Sequence, residues 1–250
     1  MRSTVETSLT AREIAVLKRE RAADRREAEW QAMEQQRAHN EMLRDANERL
    51  VLTSLQAHSD TLTAQQLTEA LTFKAERDFL TGLPNRALLA DRLERSIALA
   101  ERHAKKVAVM FLDVDHFKEI NDAHGHLVGD KLLQSTAQRL EECVRKSDTV
   151  SRQGGDEFVV LLNEVGAGQD AAITADKLLK VMAVPHLIGD HRLSVTMSIG
   201  ISLYPDDGKN VEAILTNADA AMYHAKKSGR NTFRRFTPEM ESALAAQPCS

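Results

Sequence analysis

The stretch SRQGGDEFVVLL, residues 151–162, places two glycines and two acids directly before an apolar run. Gly154 and Gly155 allow backbone angles that other residues avoid, so Asp156 and Glu157 are predicted at the mouth of a tight hairpin. Carboxylates on such a turn are either solvated turn residues or groups that hold a cation beside a phosphate. The surrounding sequence has to decide between these two interpretations.

The composition limits the class of protein. The chain has 250 residues, 42% of them hydrophobic, and a net charge of −4, which is ordinary for one or two globular domains and gives no support for nucleic-acid binding. Its two cysteines, Cys143 and Cys249, are too few for a disulfide framework and fit a cytoplasmic location. No apolar run approaches the ~18 residues of a membrane span, and the N-terminus lacks the apolar core of a signal peptide, so we expect neither membrane insertion nor secretion.

All 11 glycines and all 5 prolines lie at or beyond Gly82, and the preceding residues are good helix formers. This pattern predicts a long helix over about residues 9–79, and the cap-rich stretch HSDTLTAQQ (58–66) could end one helix and start another. Apolar residues repeat every seven positions in two registers that are offset by one residue: Leu9, Val16, Ala23 and Trp30, then Leu43, Leu50, Ala57, Ala64 and Leu71. We favour a parallel dimeric coiled coil, although Thr53, Asp60 and Lys74 weaken its seam; a linker helix and a folded-back hairpin are the alternatives.

From residue 80 the pattern becomes that of a globular domain. VAVMFLDVD (107–115), DTVSRQ (148–153), FVVLL (158–162) and LSVTMSIGISLY (193–204) are typical of strands, and the middle two form a hairpin. Helical periodicity lies between and after them. Because strands and helices alternate irregularly, we predict an α+β sandwich with a mixed, largely antiparallel sheet.

Acidic residues that follow a strand are the first candidate for chemistry. Asp113 is predicted at the end of a buried strand, and a lone aspartate there is usually a cap or turn residue. Here the acids on the predicted hairpin can lie beside it. Hard divalent cations such as Mg²⁺ take oxygen ligands and use few protein carboxylates, so these acids are a candidate site for two such ions.

Two further groups could hold a nucleotide. Asn121 and Asp130 flank a glycine-containing loop and could read the N–H donors of guanine, although turn and cap chemistry explains them equally well. Lys226 and Arg230 are four residues apart, which predicts that both lie on one face of a helix end, where they could clamp a triphosphate. Ordinary cationic bias at a helix C-terminus is the alternative.

Taken together, these motifs resemble the GGDEF family. DFLTGLPNR (78–86), DVDHFKEIND, GHLVGD, RQGGDEF and AKKSGRN occur in the family's order, and the resemblance covers roughly residues 76–236. The resemblance implies a diguanylate cyclase that joins two GTP into cyclic di-GMP on a palm-like sheet flanked by helices, as a homodimer that needs Mg²⁺ or Mn²⁺.

The resemblance also implies roles for individual residues. Metal binding falls to Asp113, the Val114 carbonyl, Asp156 and Glu157, and the last two would also assist deprotonation of the 3′-hydroxyl. Substrate binding falls to three groups: the guanine pair Asn121 and Asp130 with His126 in the same loop, His116, Phe117 and Lys118 near the phosphates, and Lys226 and Arg230 on the triphosphate.

The motif RKSD, residues 145–148, lies at the offset from Gly154 that the family uses for product inhibition. An arginine can bond guanine bidentately and can pair with phosphate, so Arg145 and Asp148 are candidates for an allosteric cyclic di-GMP site. A surface ion pair between residues i and i+3 is the alternative.

We therefore predict a helical signalling segment at 1–75, the cyclase domain at 76–237 and a C-terminal tail at 238–250. An input partner for the N-terminal helix is possible and is not identified by the sequence. The other hypothesis for function is a catalytically silent module that binds GTP or cyclic di-GMP as a receptor. An ATP-using cyclase is disfavoured, because adenine presents N1 as an acceptor to the Asp130 carboxylate.

Overall fold

The computed structural model describes residues 11–166 and 168–240, except for the side chains of residues 11, 12, 68–71, 73 and 74. Contacts divide the chain into two units, residues 1–69 and 70–250. The predicted seam position Leu9, the side chain of the seam position Leu71 and most of the predicted C-terminal tail lie outside what is described. None of the helices in the described part of the chain has the length and apolarity to cross a membrane.

Helix α1, Ala11–Ala75, is 65 residues long and about 98 Å at 1.5 Å per residue. The predicted long helix is confirmed, and it continues without a break through residues 58–66, because the polar side chains there bond to the helix itself. The hydroxyls of Thr61 and Thr63 donate to carbonyls four residues earlier, and Gln56 donates to Asp60. Apolar side chains of the predicted seam, such as Leu43 and Leu50, are 54% and 68% exposed.

The second unit is the predicted α+β sandwich. Its five-stranded sheet has the order β2-β3-β1-β6-β7, antiparallel except for the parallel pair β6–β7. The strands are β1 Lys106–Val114, β2 Thr149–Gly154, β3 Glu157–Val165, β6 Met197–Tyr204 and β7 Phe233–Arg235, and a separate hairpin consists of β4 His186–Ile188 and β5 His191–Leu193. The helices are α2 Arg86–His103, α3 Phe117–His124, α4 His126–Cys143, α5 Gly168–Met182 and α6 Val211–Lys227, followed by a 3₁₀ turn at Pro238–Met240.

Alternation along β1 decides which helices cover each face of the sheet. Met110 and Leu112 belong to the core cluster that contains α4 and α5, whereas Val107 and Val109 belong to the cluster that contains α2 and α6. Because side chains of a strand point alternately to opposite faces, the sheet is buried on both sides. Asp113 and Glu157 lie at the ends of β1 and β3 that meet at the candidate site.

Candidate active site

The signature turn lies between β2 and β3, as the sequence predicts. Gly155 has φ +53°, a left-handed conformation that favours glycine, and the backbone N–H of Val114 donates to the Asp156 carbonyl at 3.3 Å. In the antiparallel pairing of β1 with β3, Asp113 lies directly opposite Glu157. The hairpin therefore brings the predicted acids to the end of β1.

These acids share one electrostatic environment. Burial raises the pKa of Asp113; the hydrogen bond from Lys226 lowers it, and Asp156 raises it further. Burial also raises the pKa of Glu157, with Asp219 and Asp113 as the next contributors. Ionised carboxylates repel one another at this strand end, so the site favours a cation.

Lys226 provides a cation in this structure. Its Nζ lies 2.6 Å from Asp113 Oδ2, and the Asp113 side chain is 10% exposed. The prediction that Lys226 and Arg230 share one helix face is wrong, because α6 ends at Lys227. Arg230 follows Gly229, has a left-handed backbone (φ +60°) and is exposed.

Oxygen donors at this position suit a hard divalent cation. Across residues 11–166 and 168–240 no three His, Cys, Asp or Glu side chains are arranged as a ready-made metal cage. Magnesium does not require one, because it keeps several waters and is commonly bound through one or two carboxylates and substrate phosphates. The donor chemistry and the mutual repulsion of the acids thus fit a metal that is completed by substrate.

The predicted guanine pair lies on the helical hairpin α3–α4. Asn121 is in α3 and Asp130 is in the first half of α4, with Gly125 between the two helices at φ +84°. The Asn121 Oδ1 atom is buried and has no hydrogen-bond partner in the described part of the chain. His126 is exposed at the start of α4.

The predicted phosphate loop forms the start of α3. His116 has a left-handed backbone, φ +60°, and its Nδ1 lies 2.6 Å from Glu119 Oε1. Phe117 packs against the main core, and Lys118 is exposed. The loop is therefore anchored by the Phe117 ring next to the end of β1.

Arg145 and Asp148 lie apart from the acids, in the turn between α4 and β2. The Asp148 carboxylate accepts hydrogen bonds from the backbone N–H groups of Arg145 and Asn163 at 3.0 and 3.2 Å, so Asp148 orders the turn. The turn borders a cavity of about 290 Å³ whose lining includes the cations Arg77, Arg92, Arg145 and Lys146 and the acids Glu141 and Asp148. Sequence reasoning missed Arg77 and Arg92, because they come from segments distant from the RKSD motif, and it did not single out Lys146, which directly follows Arg145 in that motif.

Two buried anchors were also missed. Arg152 donates from Nη1 to both carboxylate oxygens of Asp78 at 2.9 Å and from Nε and Nη2 to the Gly155 carbonyl at 3.0 and 2.7 Å. Asp115 accepts from the hydroxyls of Thr196 and Ser198 at 2.7 Å and from the Asn231 backbone N–H at 3.1 Å.

These anchors hold the signature turn and the loop after α6 in place. Asp78 lies in the motif DFLTGLPNR and Arg152 in RQGGDEF, so these two motifs were the only sequence signal for the pair. Asp115 follows β1 in the quoted DVDHFKEIND motif, although its partners Thr196 and Ser198 come from the distant β6 region.

Comparison with known protein families shows which family this fold and these motifs belong to. The profile described as "Diguanylate cyclase, GGDEF domain" matches residues 75–232. The chain belongs to the GGDEF family. The matched region includes the signature turn, the α3–α4 hairpin and α6.

Individual relatives show the extent of the similarity. The chain is 49% identical over 173 residues to the bifunctional diguanylate cyclase/cyclic di-GMP phosphodiesterase MucR of Pseudomonas aeruginosa. The matched region covers 69% of this chain and 25% of MucR. The chain therefore spans about a quarter of the length of that relative.

Two solved structures extend the likeness beyond the cyclase domain. The diguanylate cyclase SiaD of Pseudomonas aeruginosa, solved in complex with its activator SiaC, is 31% identical, with a TM-score of 0.65 over 90% of this chain and 86% of SiaD. The coiled coil and GGDEF domain of DgcB from Caulobacter crescentus, in complex with cyclic di-GMP, is 26% identical, with a TM-score of 0.68 over 74% of this chain and 98% of the DgcB chain.

Proposed function

We propose that this protein is a diguanylate cyclase that condenses two GTP into cyclic di-GMP and two pyrophosphates. The observation that carries the proposal is the meeting of Asp113 and Glu157 across β1 and β3, with Lys226 2.6 Å from Asp113. In each half-reaction a 3′-hydroxyl attacks the α-phosphorus of the other GTP, and the bond to the leaving pyrophosphate breaks. The acids would accept the hydroxyl proton, and Lys226 and Arg230 would hold the charge of the phosphates.

We assign Asp113, the Val114 carbonyl, Asp156 and Glu157 as the metal-binding groups. A bound Mg²⁺ or Mn²⁺ would supply charge stabilisation on the phosphates and would favour ionisation of the attacking hydroxyl. Asp156 and Glu157 would assist removal of the hydroxyl proton. The raised pKa of Glu157, which comes from burial and then from Asp219, brings this carboxylate nearer to the range that suits a general base.

The remaining site residues would hold the nucleotide. Lys226 and Arg230 would pair with the triphosphate, and the backbone of His116, Phe117 and Lys118 would approach it. Asn121 and Asp130 would read the guanine edge, with His126 in the same loop.

A homodimer through α1 would bring the two half-sites together. The side chains of Leu43, Leu50 and Leu67 are more than half exposed on the isolated helix, so a second copy would bury them. A coiled coil would also convert the meeting of two GTP-loaded domains into an effectively intramolecular event.

Truncation tests this role of the helix. We expect a protein that begins near Thr72 to be largely monomeric, with specific activity that rises steeply with concentration, whereas the full chain is dimeric and active when dilute. Leu50→Asp should resemble the truncation. Light scattering and activity over a dilution series check this, and identical behaviour of all three proteins would favour a linker helix or a hairpin.

The cavity beside Arg145 is the proposed site of product inhibition. Four cationic side chains at one cavity suit a ligand with two phosphates and guanine acceptors. Arg145→Ala should leave the initial rate unchanged and remove the slowing caused by added cyclic di-GMP. Equal sensitivity of the two proteins to added product would refute the assignment.

A protein partner on the N-terminal helix is a further part of the proposal. SiaD was solved with its activator SiaC, and the likeness to SiaD extends over 90% of this chain. An input protein could therefore control dimer formation or geometry through α1.

Incubation with GTP and Mg²⁺, followed by chromatography of the products, tests the proposed activity. Cyclic di-GMP should form with the wild-type protein and not with a folded Asp113→Ala variant or in excess chelator. The other candidate is a silent module that binds GTP or cyclic di-GMP without turnover. Tight nucleotide binding without product in dimeric protein would favour that candidate.

A further inference from the structure

Two histidine side chains from separate elements contact each other at the protein surface. The imidazole rings of His124 and His191 have centroids 4.9 Å apart and are tilted by 58°. His124 is the last residue of α3, His191 is the first residue of β5, and both are exposed. These residues are far apart in the sequence, so only the fold brings the two rings together.

The β4–β5 hairpin that carries His191 is anchored on α4. The buried His186 of β4 lies with its Nδ1 2.8 Å from the Ser135 hydroxyl oxygen. Arg139, also in α4, donates from Nη2 to the Pro185 carbonyl at 2.9 Å, directly before the hairpin begins. His191 is therefore held beside α3 by an anchored hairpin rather than by a free loop.

The separation of the two rings suits a pair of ligands to one metal ion. Zinc binds histidine nitrogen at about 2.0–2.1 Å, so the centroid of a bound imidazole lies roughly 3.2 Å from the ion. Two rings whose centroids are 4.9 Å apart then subtend about 100° at the ion, close to the tetrahedral angle. The χ2 torsion of histidine is broad, so an exposed ring can turn a nitrogen toward the ion.

The donor atoms select the class of metal. Imidazole nitrogen suits zinc, nickel and copper, whereas Mg²⁺ prefers oxygen. Across residues 11–166 and 168–240, no third His, Cys, Asp or Glu side chain completes the pair. Water would fill the remaining positions, which is expected of an ion that binds reversibly rather than of a structural zinc with four protein ligands.

We propose that His124 and His191 form a transition-metal site for an ion of the zinc, nickel or copper class, which joins the end of α3 to the β4–β5 hairpin. The site uses none of the acids at the end of β1. It therefore does not rest on the proposed function.

Titration calorimetry of the full chain with Zn²⁺ in excess Mg²⁺ tests the proposal, because Mg²⁺ competes for oxygen donors and not for imidazole. The wild-type protein should bind Zn²⁺. His124→Ala and His191→Ala should each weaken that binding at least about tenfold, since the loss of even an outer-shell partner of a metal ligand has an effect of this size. His103→Ala is the matched control, because His103 is also exposed but contacts the Glu164 carboxylate instead of a second imidazole, and it should leave Zn²⁺ binding unchanged.

Copper provides a spectroscopic readout that ring packing alone would not produce. The electron paramagnetic resonance spectrum of one equivalent of bound Cu²⁺ should show coupling to two nitrogens in the wild-type protein and to one nitrogen in either single variant. Both replaced side chains are exposed, so the variants should keep the fold, which circular dichroism checks.

Unchanged Zn²⁺ affinity in folded His124→Ala and His191→Ala proteins would show that the two rings only pack together. Absence of Zn²⁺ binding by the wild-type protein, or coupling of its bound Cu²⁺ to a single nitrogen, would also overturn the proposal. None of these measurements depends on GTP turnover, so each of these outcomes leaves the proposed function standing.

Discussion

Replacing Lys226 by methionine should destabilise the metal-free protein. The Lys226 ammonium lies 2.6 Å from the Asp113 carboxylate and lowers the pKa of Asp113, Glu157 and Asp219, each of which burial raises. Methionine keeps most of the side-chain volume and removes the charge. The acids at the end of β1 would then repel one another without this counter-charge.

The size of the effect follows from the exposure of the pair. Removing one partner of a fully buried ion pair costs about 3–5 kcal/mol, whereas exposed pairs contribute at most about 1 kcal/mol. The Asp113 side chain is 10% exposed and that of Lys226 is 30% exposed, so solvent screens the pair in part. We expect a loss of roughly 1–3 kcal/mol, between those two limits. A loss of about 2 kcal/mol in a domain of this size corresponds to a melting temperature lower by roughly 4–8 °C.

Scanning calorimetry in the presence of a chelator measures this difference. Lys227→Met is the matched control, because Lys227 is exposed and its Nζ lies 5.3 Å from the Tyr223 ring centroid rather than beside the acids. We expect this change to shift the melting temperature little. Adding Asp113→Asn to Lys226→Met should restore most of the lost stability, and Mg²⁺ should stabilise Lys226→Met more than wild type.

Equal melting temperatures for the Lys226 and Lys227 variants would refute this account of the charge balance. A Lys226→Met protein that Asp113→Asn does not rescue would refute the pairing in particular.

Three further outcomes follow from the site and its surroundings. Glu157→Gln should reduce turnover at least about 10³-fold in a folded protein, since several kcal/mol of barrier depend on metal-assisted charge stabilisation. Product chromatography checks this, and near wild-type turnover would contradict the metal assignment. Arg152→Met should cost about 3 kcal/mol by calorimetry, because it leaves the nearly buried Asp78 carboxylate without its guanidinium; an unchanged melting temperature would contradict this role. Burial lowers the pKa of His186 to about 4, so its contribution to stability is complete above about pH 6.5 and should fall by about 2 kcal/mol between pH 7.5 and 5. Urea denaturation should show this loss, and His186→Asn should abolish it. An identical pH dependence in both proteins would show that His186 is not responsible.

The sequence predicts those parts of the fold that depend on local pattern. Apolar runs located β1 and β3, and the glycine pair located the turn between them, because a strand needs a buried face and a tight hairpin needs unusual backbone angles. The short strands β4, β5 and β7 were not predicted. Each has three residues, too few to establish a period of two.

The missed site residues depend on pairings over long sequence distances. Asp219 lies in the middle of α6, where an acid in a helical pattern normally indicates a solvated face, and its electrostatic contact with Glu157 comes from the packing of α6 onto the sheet. The continuity of α1 through residues 58–66 was left open by the sequence for a local reason. Ser, Thr and Asp favour helix caps in general, whereas here two threonine hydroxyls bond back to the carbonyls of their own helix.

Strand β2 connects the proposed inhibitory site to the proposed active site. Asp148 immediately precedes β2, and Gly154 ends it, so the cavity beside Arg145 and the signature turn are separated by one short strand. Arg152 within that strand binds the Gly155 carbonyl and Asp78, which follows α1 by three residues. A displacement of β2 or of the chain at Asp78 would therefore change the position of the acids through a buried charged contact. Product binding at one end of β2 and movement of the helical segment would act on the same turn, which gives both proposed modes of regulation a common physical target.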